Sequence, residues 1–84
     1  MRELVIDTET TGLNFAGGDR VIEVACVEMI NHVSTGNNLQ FYCNVDKEID
    51  ERAIKIHGIT NAFLRNHSRF EVHVDNFLNF IKDD

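Results

Sequence analysis

Three apolar residues, two of them β-branched, run Leu4-Val5-Ile6 and then meet a carboxylate at Asp7, with a second at Glu9. A short, uninterrupted apolar run suits a strand covered on both faces, as in an α/β sheet packed by helices. It is too short for a helix, which needs about ten residues to show its period. Extended geometry puts the Asp7 and Glu9 side chains on one face of the strand. Carboxylates at the end of a buried strand must be solvated, hydrogen-bonded or bound to a cation, because an unpaired buried charge is very costly. The spacing alone leaves a solvated strand exit and a cation site both open; if a cation binds, an all-oxygen donor pair suits Mg²⁺ or Mn²⁺.

Beyond the carboxylates the chain turns polar through Thr8, Thr10 and Thr11 to Gly12, and residues 14–19, with Gly17-Gly18, read as a flexible loop. Residues 20–30 form the next strand candidate and residues 39–45 a third, joined through residues 31–38, where Ser34, Gly36 and Asn37 are turn formers. That arrangement predicts an antiparallel hairpin. Centring it places Cys26 near Phe41 rather than Cys43, so the two cysteines are expected to be free thiols in the apolar interior. From Asp50 the period becomes helical. Asp50 caps a helix through Ile56 that His57-Gly58 ends, Thr60 caps a second over residues 61–65, and Ser68 with Glu71 forms an S-x-x-E box ahead of a third. Phe70, Val74, Phe77, Leu78 and Ile81 share one face of that last helix. The order is β-β-β-α-α-α.

With 84 residues the chain makes one small domain, and its core is marginal. The net charge of −6, with only eight Lys and Arg, argues against an extended grip on many phosphates. A short strand end remains compatible if metal ions neutralise it. No segment approaches the roughly 18 apolar residues of a membrane helix, and the amino terminus lacks a secretory apolar run, so a cytoplasmic protein with no membrane partner is expected. His32, His67 and His73 are read as surface residues, and Glu23 as structural.

The segment Asp7-Thr8-Glu9-Thr10-Thr11-Gly12-Leu13 resembles the first motif of the DEDD superfamily of 3′–5′ exonucleases, most nearly the epsilon proofreading class of bacterial DNA polymerase III. Residues 20–28 resemble that family's second strand, His57-Gly58-Ile59-Thr60 its HGIT segment, and residues 70–81 the helix after it, so the likeness covers the whole chain. It implies a ribonuclease-H-like α/β fold, here a three-stranded antiparallel sheet followed by helices. In that fold Leu4-Val5-Ile6 is an inner strand of a larger sheet. It implies two-metal hydrolysis at the 3′ end of single-stranded DNA, with Asp7 and Glu9 as catalytic metal ligands for two Mg²⁺ or Mn²⁺ ions roughly 4 Å apart. Thr10, Thr11, Gly12 and Leu13 would lie along the terminal nucleotide, Leu13 against its base, with Ile59 on a base and His57 near the sugar. From the residues alone, Leu13 can equally be a loop anchor and His57-Gly58 a helix stop.

The family also needs a later Asp, a general-base His or Tyr, and a final Asp. Nothing in residues 46–84 supplies them. The expectation is therefore that residues 1–84 are the N-terminal part of one exonuclease domain, cut before its second and third motifs and inactive alone. Other DNA polymerase III subunits are candidate partners of the parent protein. A non-catalytic truncated or degenerate product, or a replication-partner docking module, is the alternative. A strand left at the sheet edge by such a cut invites self-association. Asp83 and Asp84, at the end of a helix whose dipole prefers cations, fit the same reading.

Overall fold

The computed structural model describes residues 1–14 and 16–82. Three strands, β1 (Arg2–Thr10), β2 (Val21–Ile30) and β3 (Val33–Tyr42), form an antiparallel sheet in the order β1-β2-β3. Among the described residues three helices follow, α1 (Glu51–His57), α2 (Asn61–Leu64) and α3 (Phe70–Lys82). The expected element order holds. The Asp83-Asp84 pair lies outside the described residues.

The strand boundaries differ from those expected of the sequence, each for a local reason. β1 does not stop at Asp7 but runs through both carboxylates, because Thr8 and Thr10 are good strand formers and keep the pairing with β2. It is also not covered on both faces: Val5 is 53% exposed and Ile6 50%. β1 pairs only with β2, so it is the edge of this sheet, and the described helices pack over β2 and β3 instead. The hairpin is tighter than residues 31–38. Asn31 and His32 both have positive φ, 50° and 68°, and make a two-residue turn whose twist matches the strands. Gly36, with φ 82°, serves a bulge instead, where the register slips between Val27↔Asn38 and Met29↔Ser34. The early turn, only partly offset by this slip, sets Cys26 opposite Leu39 rather than Phe41, while Phe41 faces Val24. Both cysteines are free and buried, and burial pushes the Cys43 thiol up to about 11, so it is inert at neutral pH.

The helix signals translate closely for α1 and α2. The Asp50 carboxylate accepts the Arg52 N–H at 2.8 Å, and Gly58, left-handed at φ 73°, donates to the Ile54 carbonyl at 2.7 Å. The Thr60 hydroxyl accepts the Phe63 N–H at 3.2 Å. For α3 the capping box does not form. The helix starts at Phe70, which puts Ser68 one residue too early to cap, and its carbonyl instead accepts the Asn44 N–H at 3.0 Å. The α3 face turned inward is His73, Val74, Phe77, Phe80 and Ile81, all half-buried, while Phe70 and Leu78 stay more exposed.

Two small apolar clusters result. Ile22, Ile49, Ile59 and Leu64 pack under α1 and α2, whereas Val24, Phe41 and Cys43 pack under α3 with Phe77. Two of the three histidines read as surface residues are half-buried against aromatic rings instead. His73 stacks on Phe41 with centroids 4.3 Å apart, and His67 sits 5.2 Å from Tyr42 and 5.0 Å from Phe63. Flat rings are good fillers where a small core cannot supply enough aliphatic volume. His32 remains at the surface, 3.1 Å from Glu3.

Candidate functional site

Asp7 and Glu9 project from the same face of β1, as their spacing requires. Among the described residues neither carboxylate has an ion-pair or hydrogen-bond partner, whereas Asp19, Glu28, Asp46 and Asp50 each have one. Glu9 stands directly opposite Glu23 in the β1–β2 register. Like charges at opposed positions destabilise a sheet pair. Glu23 is tied to its other neighbour, accepting the Gln40 amide at 2.9 Å. Three carboxylates therefore share one sheet face, and Asp7 and Glu9 stay uncommitted.

The register slips again immediately after Glu9, so that Thr10 pairs with Val21. Such a bulge bends the strand and re-aims the residues beyond it. The chain turns into a loop fastened on several sides. The Thr11 N–H donates to the Arg20 carbonyl at 2.9 Å, the Arg20 N–H to the Thr11 hydroxyl oxygen at 3.0 Å, and the Asp50 N–H to the Thr11 carbonyl at 2.9 Å. Thr11 is completely buried. Its hydroxyl donates to Asp19 Oδ1 at 2.7 Å, and Asp19 Oδ2 accepts the Asn14 N–H at 2.8 Å. Residues 14–19, read from sequence as a flexible loop, thus contain the anchor of the motif.

A cleft of about 340 Å³ opens beside this loop, lined in part by Glu9, Thr10, Gly12, Leu13, Ile56 and His57. Leu13 is 98% exposed and Ile56 82%, which leaves two large apolar side chains at its rim. His57, the last residue of α1, braces the cleft. Its Nδ1 accepts the Ile59 N–H at 3.0 Å, which leaves the proton on Nε2, and Nε2–H donates to the Thr10 carbonyl at 3.2 Å.

The residues singled out from sequence fall into three groups. Glu9, Thr10, Gly12, Leu13 and His57 meet at the cleft. Asp7 lies on the same strand face but outside the cleft lining. Thr11 and Ile59 are buried, Thr11 in the loop network and Ile59 in the core with Ile22, Ile49 and Leu64, so their side chains support the cleft from within rather than presenting to a ligand. Sequence reasoning missed Ile56, whose signal was an apolar residue off the inward face set by Ala53 and Ile54. It also missed Asp19. Among the described residues no group of three or more His, Cys, Asp or Glu side chains is arranged to hold a metal ion, and no helix is long and apolar enough to cross a membrane.

The Thr11 hydroxyl, and after it the Asn14 amide, hold the Asp19 carboxyl below its usual range against the opposing effect of burial. A carboxylate depressed in the folded state stabilises the fold fully above its unfolded pKa, about 4, and loses that contribution as the pH falls through the folded value. The melting temperature should therefore fall below about pH 4, and fall less in Asp19→Asn than in the unsubstituted chain. Thermal melts between pH 3 and 7 check this; equal acid sensitivity of the two proteins would refute it.

The sequence matches the exonuclease (RNase T) family over residues 4–84. It is 43% identical over 83 residues to DNA polymerase III subunit epsilon of Rickettsia conorii, covering 99% of this chain and 36% of that protein. The epsilon subunit of Salmonella typhimurium is 42% identical over 85 residues, covering 96% of this chain and 35% of that one. The chain thus spans about a third of the length of these relatives. Among solved structures, exonuclease X in complex with 5′-overhanging duplex DNA superposes with a TM-score of 0.75 at 30% identity, over 88% of this chain and 42% of that one. Escherichia coli exonuclease I, in complex with a dA13 oligonucleotide, gives a TM-score of 0.82 at 22% identity over 98% of this chain and 18% of that one, a likeness of fold.

Proposed function

Because the chain belongs to the exonuclease (RNase T) family, we propose that its cleft receives the 3′ end of a single DNA strand and that Asp7 and Glu9 are two ligands of a divalent-metal site. The observation that carries this reading is the pair of same-face carboxylates that have no protein partner among the described residues, at the bend where the motif loop begins. Two carboxylate donors on one strand face fit Mg²⁺ or Mn²⁺, and no third His, Cys, Asp or Glu among the described residues is placed to join them. When bound, such ions would supply an activated water and charge neutralisation at the leaving oxygen, with Asp7 and Glu9 as two of their ligands.

The chain's own residues do the positioning. Leu13 and Ile56 offer apolar surface to the terminal base, which every base can use. His57 fixes the Thr10 carbonyl through its Nε2–H, so the backbone beside the sugar cannot drift. Thr11 and Ile59 hold the loop and the HGIT segment from behind. Two carboxylates alone leave the ions under-coordinated, and we hold residues 1–84 by themselves inactive. On this reading the activity is that of a proofreading exonuclease whose later ligands and base are not among these 84 residues, and the relatives' name, DNA polymerase III subunit epsilon, supports other subunits of that polymerase as partners.

Mn²⁺ binding, read from the free-ion spin-resonance signal, should be weak but measurable for the chain and weaker by roughly tenfold or more in an Asp7→Ala, Glu9→Ala double variant. Neither protein should shorten a labelled single strand in Mn²⁺. Equal Mn²⁺ binding by the two would remove the metal assignment. Nuclease activity abolished by the double substitution would mean that the site is completed from elsewhere, such as a second chain.

A further inference from the structure

Asp19 does not line the cleft, yet both of its carboxylate oxygens are spent on the loop that forms the cleft wall. Oδ1 accepts the Thr11 hydroxyl proton and Oδ2 the Asn14 N–H. Between those two residues lies Gly12, packed so closely that a Cβ there would sit 2.6 Å from Oδ2. The carboxylate therefore fills the inside of the turn and Leu13 stands on its outside. Behind it, Lys47 Nζ lies 4.0 Å from Oδ1 and donates to the Gly17 carbonyl at 3.4 Å. Asp19 itself is 8% exposed.

We infer that Asp19 is a positioning residue for strand-end binding: it sets the backbone of residues 11–14 so that Gly12 and Leu13 present a fixed surface to the terminal nucleotide. The inference rests on the exonuclease reading of the cleft. A side chain as exposed as Leu13 is held by almost no neighbours, so its placement is only as good as its backbone. A misplacement of about 1 Å in a binding surface is enough to lose much of its effect. The requirement also explains the residue types: glycine at 12 because no Cβ fits against the carboxylate, threonine at 11 because its hydroxyl both donates to Asp19 and accepts from Arg20.

The test uses the 84-residue chain, dTMP as probe and Mn²⁺, with binding followed by amide spectra and protection by hydrogen exchange. Asp19→Ala should weaken dTMP binding by roughly tenfold or more and release the Asn14 and Arg20 amides, while β2–β3 amides keep their protection. Asp19→Asn should fall between, since its carbonyl oxygen can still accept from Thr11 but its amide cannot accept from Asn14. A merely structural residue would lower the melting temperature and leave the affinity of the folded protein unchanged. If the unsubstituted chain binds dTMP and both variants match it, Asp19 is not a positioning residue although the cleft reading stands. If the unsubstituted chain does not bind dTMP at all, the cleft reading fails and takes the inference with it.

Discussion

Leu64→Ala is expected to destabilise the chain by about 3–5 kcal/mol, the cost of a large-to-small change where the surroundings cannot collapse. Leu64 is the only residue of α2 that is buried, and it is fully so, against Ile22, Ile49 and Ile59. A domain this small has total stability of roughly 4–12 kcal/mol, and its apolar interior is split between two clusters, so one cavity removes a large share. The consequence reaches the cleft. Ile59 belongs to the same cluster, and its N–H is the donor that orients His57, which in turn fixes the Thr10 carbonyl. Loss of the cluster should therefore free His57 and the end of β1 together. Urea unfolding followed by circular dichroism, with Leu78→Ala as the control on the exposed side of α3, measures the difference. A loss under about 1 kcal/mol for Leu64→Ala would show that this cluster does not carry the fold.

Much of the fold was legible because its signals are local. Asp50, Gly58 and Thr60 cap α1 and α2 through contacts within a few residues, so the sequence contains both halves of each interaction. The hairpin was legible as a hairpin but not in its details. Ser34, Gly36 and Asn37 look like a turn to a reader of composition. Asn31-His32 makes the turn because asparagine tolerates positive φ, and a bulge at Gly36 absorbs the slack. The start of α3 misled for a similar reason: an S-x-x-E pattern names a cap only if the helix begins one residue after the serine.

The site was legible where chemistry is written in consecutive residues and illegible where it depends on distant ones. Asp7, Glu9 and Leu13 stand out in a single seven-residue segment. Asp19 does not, because its importance comes from an eight-residue return that brings its carboxylate under Thr11 and Gly12. Ile59 was legible as part of a motif but not as a core residue: the left-handed turn at Gly58 sends it inward and leaves Ile56 exposed on the outer face of α1.

Arg2 carries the second large effect, and no motif announced it. Its Nε donates to Glu28 Oε2 at 2.6 Å, its Nη1 to the Ile81 carbonyl at 3.2 Å and its Nη2 to the Phe80 carbonyl at 2.6 Å, with the guanidinium 5.7 Å from the centre of the Phe80 ring. One side chain joins β1, β2 and the end of α3. The carbonyls at a helix C-terminus have no partners within the helix and carry its partial negative charge, so a planar cation is well matched to them. Arg2→Met keeps apolar bulk and removes every donor. Losing the charged hydrogen bonds to the two carbonyls is expected to cost about 2–4 kcal/mol, a fall in melting temperature of roughly 10–20 °C for a domain of this size. The Glu28 carboxylate, held below its usual range first by Arg2, would lose that partner as well. Arg2→Met with Glu28→Gln should therefore be more stable than Arg2→Met alone, since the second change removes a charge that the first leaves unmatched. Calorimetry on the three proteins decides it: equal melting temperatures for the single and double variants would mean that Glu28 was solvated all along. Hydrogen exchange supplies the functional corollary. Releasing α3 from the start of β1 should loosen Leu4, Val5 and Ile6 first, and through them the strand that carries Asp7 and Glu9, because β1 has only β2 to hold it on its other side.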